Sequence, residues 1–288
     1  MKDKVYVNGE VVERGQARVD MENRAHQFGD GVYEVVAVWN GVPFKLEEHM
    51  QRLKSSAEAV DIDIPEADWF VDEALSYLNS AGYLNKGSGK NVNLYVQVSR
   101  GTCPRKHEYP EELEPEIMMN ISGIDPYPRE YFSQGIKVIT HPDRRWARCN
   151  VKSLQLLPNV MARKAAKKTG AFEAVLVRDG LVMEGAISNY FIVEAGRLIT
   201  PPATNYILNG ITRRTVIELA EENNYKVEEE SIEVERFLAA REIFLTGTTT
   251  EIMPVVQVDE HKVGDGEPGD MTLKIQNDYW QLSRPNSE

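Results

Sequence analysis

Four dipeptides punctuate this chain: Asn8-Gly9, Asn40-Gly41, Asp179-Gly180 and Ala195-Gly196, each between short runs rich in β-branched and aromatic residues. Asn-Gly is the strongest short signal for a two-residue hairpin turn. KVYVNGEVV and GVYEVVAVWNGVPF therefore read as hairpins, and FEAVLVRDGLVMEGAISNYFIVEAGRLITP as a meander of strands. NVNLYVQVSRG, PEIMMNIS, GIKVITHPDRR and EIFLTGTTTEIMPVVQV add further strands. Helical spacing fills the gaps. Leu46, Met50, Leu53, Ala57 and Val60 recur at three and four residues, and a second helix covers Asp68 to Ser80. Leu157 to Lys168 is helical, with Pro158 in its first turn and Gly170 beyond its end. ITRRTVIELAEENN, VERFLAA and the closing MTLKIQNDYWQLSRP complete the set. SGIDPYPRE, with Pro126 and Pro128 restricting its backbone, reads as a linker. The expected fold class is α+β with two domains, a smaller one over 1–122, the linker over 123–130 and a larger one over 131–288.

Composition removes several functional classes. With 288 residues, 42% hydrophobic and 27% charged, the chain is long enough for two packed domains and too apolar to stay disordered. A net charge of −12 argues against nucleic acid or an anionic membrane as partner. MKDKVYVNGE lacks the apolar centre of a signal peptide, and no apolar run approaches the roughly 18 residues of a membrane span. Cys103 and Cys149 are too few for a disulfide scaffold and are expected as reduced thiols of a cytoplasmic enzyme. The histidines at 26, 49, 107, 141 and 261 show no ligand spacing, so no metal is expected. Gly29-Asp30-Gly31 is not a dinucleotide loop, and no serine or cysteine sits in a nucleophile elbow.

What remains is an unusual set of charges. Glu184 is one carboxylate in the apolar run LVMEGAISNYFIV, and burying it without a partner costs on the order of several kcal/mol. Lys152 enters another apolar stretch, NVKSLQLLPNV, where desolvation favours the neutral amine that attacks an aldehyde. Arg52 lies on the flank of the first helix. GITRR at 210–214 and TGTTTE at 246–251 offer helix-terminal amides and the Thr212 and Thr248 hydroxyls to an anion. An acid for a ring nitrogen, an amine for an aldehyde and donors for a phosphate together suit pyridoxal phosphate. Singly, each has a bland counterpart. A lone sheet carboxylate is more often structural, and an arginine beside an amphipathic helix is usually solvated. SRGTCPRKHEYP places Arg100, Arg105, Lys106 and His107 close together. On extended backbone Arg105 and His107 share one face and suit a carboxylate. Without that geometry they are charges on an exposed loop.

In QFGDGVYEVV, EHMQRL, RGTCPRKH, CNVKSLQLL, EGAISN, ILNGITR and TGTTTEIMPV, taken in this order, the chain resembles the class IV, or fold-type IV, pyridoxal-phosphate aminotransferases. It is most similar to their bacterial D-amino-acid branch, for which RGT-x-PR-x-H is the specific string. The resemblance implies a cofactor held in an interdomain cleft and a homodimer in the cytoplasm. Lys152 would join the cofactor aldehyde and Glu184 would meet the pyridine nitrogen. Arg52, the Ile211 and Thr212 amides and Thr248 would hold the phosphate, with Leu208 behind the ring. Tyr33, Arg105 and His107 would trap the substrate carboxylate, the last two from the neighbouring subunit.

The implied reaction is a ping-pong transamination between a D-amino acid, such as D-alanine or D-glutamate, and 2-oxoglutarate or pyruvate. Two stretches depart from the family pattern. Ala186 and Ile187 precede Ser188 where serines are expected, and Gly247 stands where a serine is frequent, so two hydroxyls are missing near the cofactor. A branched-chain L-aminotransferase, an aminodeoxychorismate lyase and a cofactor-binding homologue without turnover share the scaffold. The first would not be expected to carry Arg105-x-His107, the second eliminates pyruvate, and the third has little use for Lys152 and Glu184 together.

Overall fold

The computed structural model of the chain describes residues 4–85 and 89–284. The first three residues of the stretch read for a signal peptide, and Pro285 of the expected closing helix, lie outside the described residues. Two units emerge. One holds Met1–Asp125 with Val151–Gln155, the other Pro126–Asn150 with Leu156–Glu288. The five-residue return of Val151–Gln155 to the first unit departs from a simple division at the linker.

The first unit contains β1 (Lys4–Val7), β2 (Glu10–Glu13), α1 (Arg24–Phe28), β3 (Gly31–Trp39), β4 (Val42–Pro43), α2 (Leu46–Glu58), α3 (Ala67–Ser80), β5 (Val92–Ser99) and β6 (Glu116–Gly123). Its six strands form an antiparallel sheet in the order β2-β1-β6-β5-β3-β4. Leu46, Met50, Leu53 and Ala57 of α2 and Phe70, Ala74 and Leu78 of α3 are buried, as their spacing predicts, and α2 packs on both α3 and β3.

The second unit contains α4 (Arg129–Ser133), β7 (Ile136–Pro142), α5 (Leu157–Lys168), β8 (Glu173–Arg178), β9 (Leu181–Gly185), β10 (Asn189–Glu194), β11 (Arg197–Thr200), α6 (Ile211–Glu222), β12 (Lys226–Glu229), β13 (Ile232–Glu233), α7 (Val234–Leu238), β14 (Glu242–Gly247), β15 (Glu251–Val258), β16 (His261–Lys262) and α8 (Asp270–Ser283). Its sheet runs β12-β11-β10-β14-β15-β7-β8-β9-β13, with β16 beside β15. The β11–β12, β15–β7 and β7–β8 pairs are parallel, so the sheet is mixed. Its main core gathers Tyr190, Ile192, Phe237, Leu245, Met253 and Val255. A second cluster, Ala162, Ala166, Ala171, Ala174, Leu176 and Ala186, joins α5 to the sheet through small side chains. Ala186, the first departure from the family pattern, is therefore a packing residue. Neighbouring Ile187 is 52% exposed and takes no part in that layer.

All four hairpin dipeptides have positive φ at both positions, for example 49° at Asn40 and 85° at Gly41. The strands they join close after two residues, as Trp39↔Val42 and Arg178↔Leu181 show. The linker is shorter than the prolines suggest, since β6 extends through Gly123 and α4 begins at Arg129. Among the described residues no helix is long and apolar enough to cross a membrane.

Candidate active site

In the first unit, Val151–Gln155 lies along the start of β3. The Tyr33 amide donates to the Lys152 carbonyl at 3.0 Å, and the Leu154 amide to the Gly31 carbonyl at 3.0 Å. The Lys152 amide in turn donates to Ser56 Oγ of α2 at 3.2 Å. Gly31 is required by the crowding this creates, because a Cβ there would lie 2.5 Å from the Val98 carbonyl and 2.7 Å from Leu154 Cδ1. Lys152 is thus fixed at its backbone while its amine extends over Tyr33, 4.5 Å from the ring centroid.

One strand position on, Glu34 is completely buried. Its Oε1 accepts from Arg52 Nε at 2.6 Å, and its Oε2 lies 2.9 Å from Arg52 Nη2 and 2.7 Å from His49 Nδ1. Burial alone would raise this carboxyl, but the Arg52 and His49 contacts together hold it well below the ordinary carboxylate range. Arg52 is consequently an oriented guanidinium on α2 rather than the solvated charge its helix position allows.

Burial pushes His49 below its ordinary value, assisted by the Arg52 and Lys152 charges and opposed by Glu34. The unfolded chain therefore takes up this proton first, and the stability contributed by neutral His49 is lost as pH falls below the ordinary histidine value of 6.5. Glutamine donates to Glu34 without titrating. Between about pH 7 and about pH 5, the urea midpoint of the wild type should fall more than that of His49→Gln. Parallel losses would show that His49 is not the titrating group.

Of the two alternatives left open for Arg105 and His107, the structure shows the second, an exposed, bent loop rather than extended backbone. Both nevertheless gather on Phe28, with the Arg105 guanidinium 4.9 Å from that ring and the His107 ring 5.6 Å away. The loop is suspended from buried Arg24, whose Nε binds Asp30 at 2.7 Å while Nη1 and Nη2 donate to the Lys106 and His107 carbonyls at 2.8 and 3.3 Å. Arg100 shares Asp30 and stacks 3.7 Å from the Tyr109 ring centroid. Tyr33 stands with Lys152, and Arg105 with His107 on Phe28.

In the second unit Glu184 is 5% exposed and surrounded by donors. Arg145 Nη1 donates to Oε1, while Asn189 Nδ2 at 3.0 Å and the Leu208 amide at 2.9 Å donate to Oε2. Burial raises this carboxyl above its ordinary range, with Arg145 and the Leu208 amide pulling the other way. Arg145 is itself held by the fully buried side chain of Asp143, through Nε at 2.9 Å and Nη2 at 3.0 Å. Leu208 enters this network through its backbone, since its carbonyl also accepts from Asn189 at 2.9 Å.

Beyond Leu208, Gly210 caps α6 in extended conformation with no side-chain cap and no acidic residue in the first turn. The Ile211 and Thr212 amides thus open a helix whose amino-terminal charge faces no protein carboxylate of its own first turn, a setting that favours a phosphate. Ile211 and Thr212 are buried. Thr248 lies in the turn between β14 and β15 and is half-buried.

Several members of these networks escape a motif reading. Glu34 carries the same signal as Glu184, a lone carboxylate in the apolar run GVYEVVAV. His49 precedes Arg52 by three residues on one helix and so falls on the same side. Asp143 and Arg145 are hidden in the charged string HPDRRW, where nothing local separates a buried pair from a solvated one.

The chain is similar to known proteins along most of its length. Residues 31–258 match the family of class IV amino-transferases. The D-alanine aminotransferase of Bacillus licheniformis is 42% identical over 273 residues, 95% of this chain and 94% of that protein. The D-alanine aminotransferase of Listeria monocytogenes serotype 4b is 41% identical over 274 residues, covering 94% and 93%. Among solved structures, the branched-chain amino acid aminotransferase from Escherichia coli has a TM-score of 0.89 at 26% identity, covering 100% of this chain and 96% of that one. The chain belongs to the class IV amino-transferases.

Proposed function

We propose that this protein is a pyridoxal-phosphate-dependent D-amino-acid aminotransferase. The observation that carries the reading is the presence, in one chain, of an amine anchored at its backbone, Lys152, and a buried carboxylate lodged among donors, Glu184. The donor set fits the cofactor's three chemical groups: an amine for the aldehyde, a carboxylate for the ring nitrogen, and Arg52, the Ile211 and Thr212 amides and Thr248 for the phosphate. When bound, pyridoxal phosphate supplies an electron sink for the substrate's Cα–H bond.

The rest is the work of this chain's side chains. Lys152 provides the resting amine and, once displaced by substrate, the base that moves the proton at Cα. Glu184, kept in place by Arg145, Asn189 and the Leu208 amide, presents a carboxylate of raised proton affinity to the ring nitrogen and holds a proton there. Leu208 would help hold the ring. Tyr33, Arg105 and His107 take the α-carboxylate, with the last two contributed by the neighbouring subunit of a homodimer. The amino group passes from a D-amino acid to a 2-oxo acid, 2-oxoglutarate or pyruvate, in two half-reactions. Free, buried Cys103 and Cys149 agree with a cytoplasmic setting.

Sequence identity favours the D-amino-acid reading, because the D-alanine enzymes match at 41–42% where the Escherichia coli branched-chain enzyme matches at 26%. A coupled assay of D- and L-alanine with 2-oxoglutarate tests it, and preference for the L-enantiomer would overturn it. Arg105→Ala sharpens the result. Because Arg105 is exposed, its removal leaves the fold intact, and a charge-assisted contact to carboxylate is worth roughly 1.5–3 kcal/mol. KM should rise by about ten- to a hundredfold for every D-amino acid alike, while amines lacking a carboxylate are spared. A change that depends on the side chain would remove Arg105 from the trap.

A further inference from the structure

The hairpin joining β14 to β15 brings an unused hydroxyl to the side of the missing one. Gly247 pairs with Glu251, leaving a three-residue turn, Thr248–Thr250, closed by Glu251 at a φ of 52°. The turn folds Thr250 back over Gly247, so that a Cβ built on Gly247 would lie 2.6 Å from Thr250 Oγ1 and 3.6 Å from the Ile187 carbonyl. The space of a residue-247 side chain is therefore occupied by the Thr250 hydroxyl. Thr250 is 1% exposed, and its Oγ1 has no hydrogen-bond partner among the described residues.

Its neighbours are otherwise engaged. Thr246 Oγ1 donates to the Asn189 carbonyl at 3.5 Å, Ser188 Oγ to Glu173 at 3.2 Å, and the Thr212 side chain meets Tyr279. A buried hydroxyl left without a partner is destabilising, and native structures retain few of them. The strand that leads into this turn and the start of α6 share a neighbour. Asn189 pairs with Thr246 across β10 and β14, and a side chain on Gly210 would collide with Asn189 Oδ1. Asn189 thus meets both the start of α6 and the end of β14 from which the turn departs.

We infer that Thr250 is a further phosphate-binding residue of this enzyme, its hydroxyl replacing the donor absent at Gly247. The inference rests on the cofactor reading above. It assigns the role to a residue outside the set that the resemblance supplies, and it makes the Gly247 departure one half of a compensated pair.

The test uses full-length protein stripped of cofactor and titrated separately with pyridoxal phosphate and with pyridoxal, which lacks the phosphate. Thr250→Val keeps the shape and removes the hydroxyl; Thr250→Ser keeps the hydroxyl. The valine variant should bind pyridoxal phosphate about tenfold more weakly with pyridoxal affinity unchanged, and the serine variant should match the wild type. The valine apoprotein should melt no lower than the wild-type apoprotein, while the gap between its holo and apo melting temperatures narrows. In Gly247→Ser/Thr250→Ala the hydroxyl returns from the opposite side of the same gap, and affinity should recover relative to Thr250→Ala.

Unchanged pyridoxal phosphate affinity in Thr250→Val, equal weakening of both ligands, or no recovery in the double variant would overturn the assignment. Failure of the wild-type apoprotein to bind pyridoxal phosphate would instead overturn the cofactor reading itself, and this inference with it.

Discussion

Lys152→Ala should fold and bind pyridoxal phosphate through its phosphate donors, yet turn over several orders of magnitude more slowly. Loss of a group that serves as both nucleophile and base removes two contributions to rate with one truncation. Folding should survive because the segment is held by its main chain. The Tyr33, Lys152 and Leu154 amides make the bonds that seat it on β3 and α2, and alanine preserves all three. In the wild type, borohydride should fix the cofactor irreversibly on the peptide that contains Lys152. Label on a different lysine, or measurable transamination by the alanine variant at the wild-type rate, would remove Lys152 from the chemistry.

The second large effect belongs to Glu184→Gln, which keeps size but not charge. Each of the three groups around this carboxylate, Arg145, Asn189 Nδ2 and the Leu208 amide, is a donor. An amide has one oxygen to offer, so its NH2 must face either the guanidinium or the pair of N–H groups. Buried donors left opposed in this way cost about 1–3 kcal/mol, and the variant should unfold at correspondingly lower urea. Catalysis should suffer more. Without a carboxylate to hold a proton on the ring nitrogen, exchange of the substrate α-hydrogen for deuterium should slow strongly, whereas substrate affinity changes less. An unchanged exchange rate would make Glu184 a purely structural acid whose partners exist to bury it.

The sequence disclosed those features whose signal is local. The hairpins announced themselves because Asn-Gly and Asp-Gly pairs determine backbone conformation by themselves, and the long helices because their apolar stripe repeats within a few residues. The charge pattern singled out Glu184 for the same reason. The partners that define its environment come from elsewhere in the chain, and no spacing rule links Arg145 or the Leu208 amide to it. Arg24 is a clearer case. It is buried at the start of α1 and supports the Arg105–His107 loop by gripping main-chain carbonyls, which have no residue identity for a motif to register. The choice between extended backbone and exposed loop at 105–107 stayed open for a related reason, since Arg24, which holds that loop, is remote in sequence.

The return of Val151–Gln155 to the first unit also bears on how such a protein can be made. Three junctions join the two units, at 125/126, 150/151 and 155/156, so the chain is threaded through both rather than arranged as beads. A fragment ending at Asp125 would leave the Tyr33 amide and the Gly31 carbonyl without the partners they have here, and it would lack Lys152. During synthesis, the strands of the amino-terminal sheet emerge first, but the first unit lacks Val151–Gln155 until part of the second unit has been produced. Gene fission at the apparent linker would sever the amine from the strand that positions it.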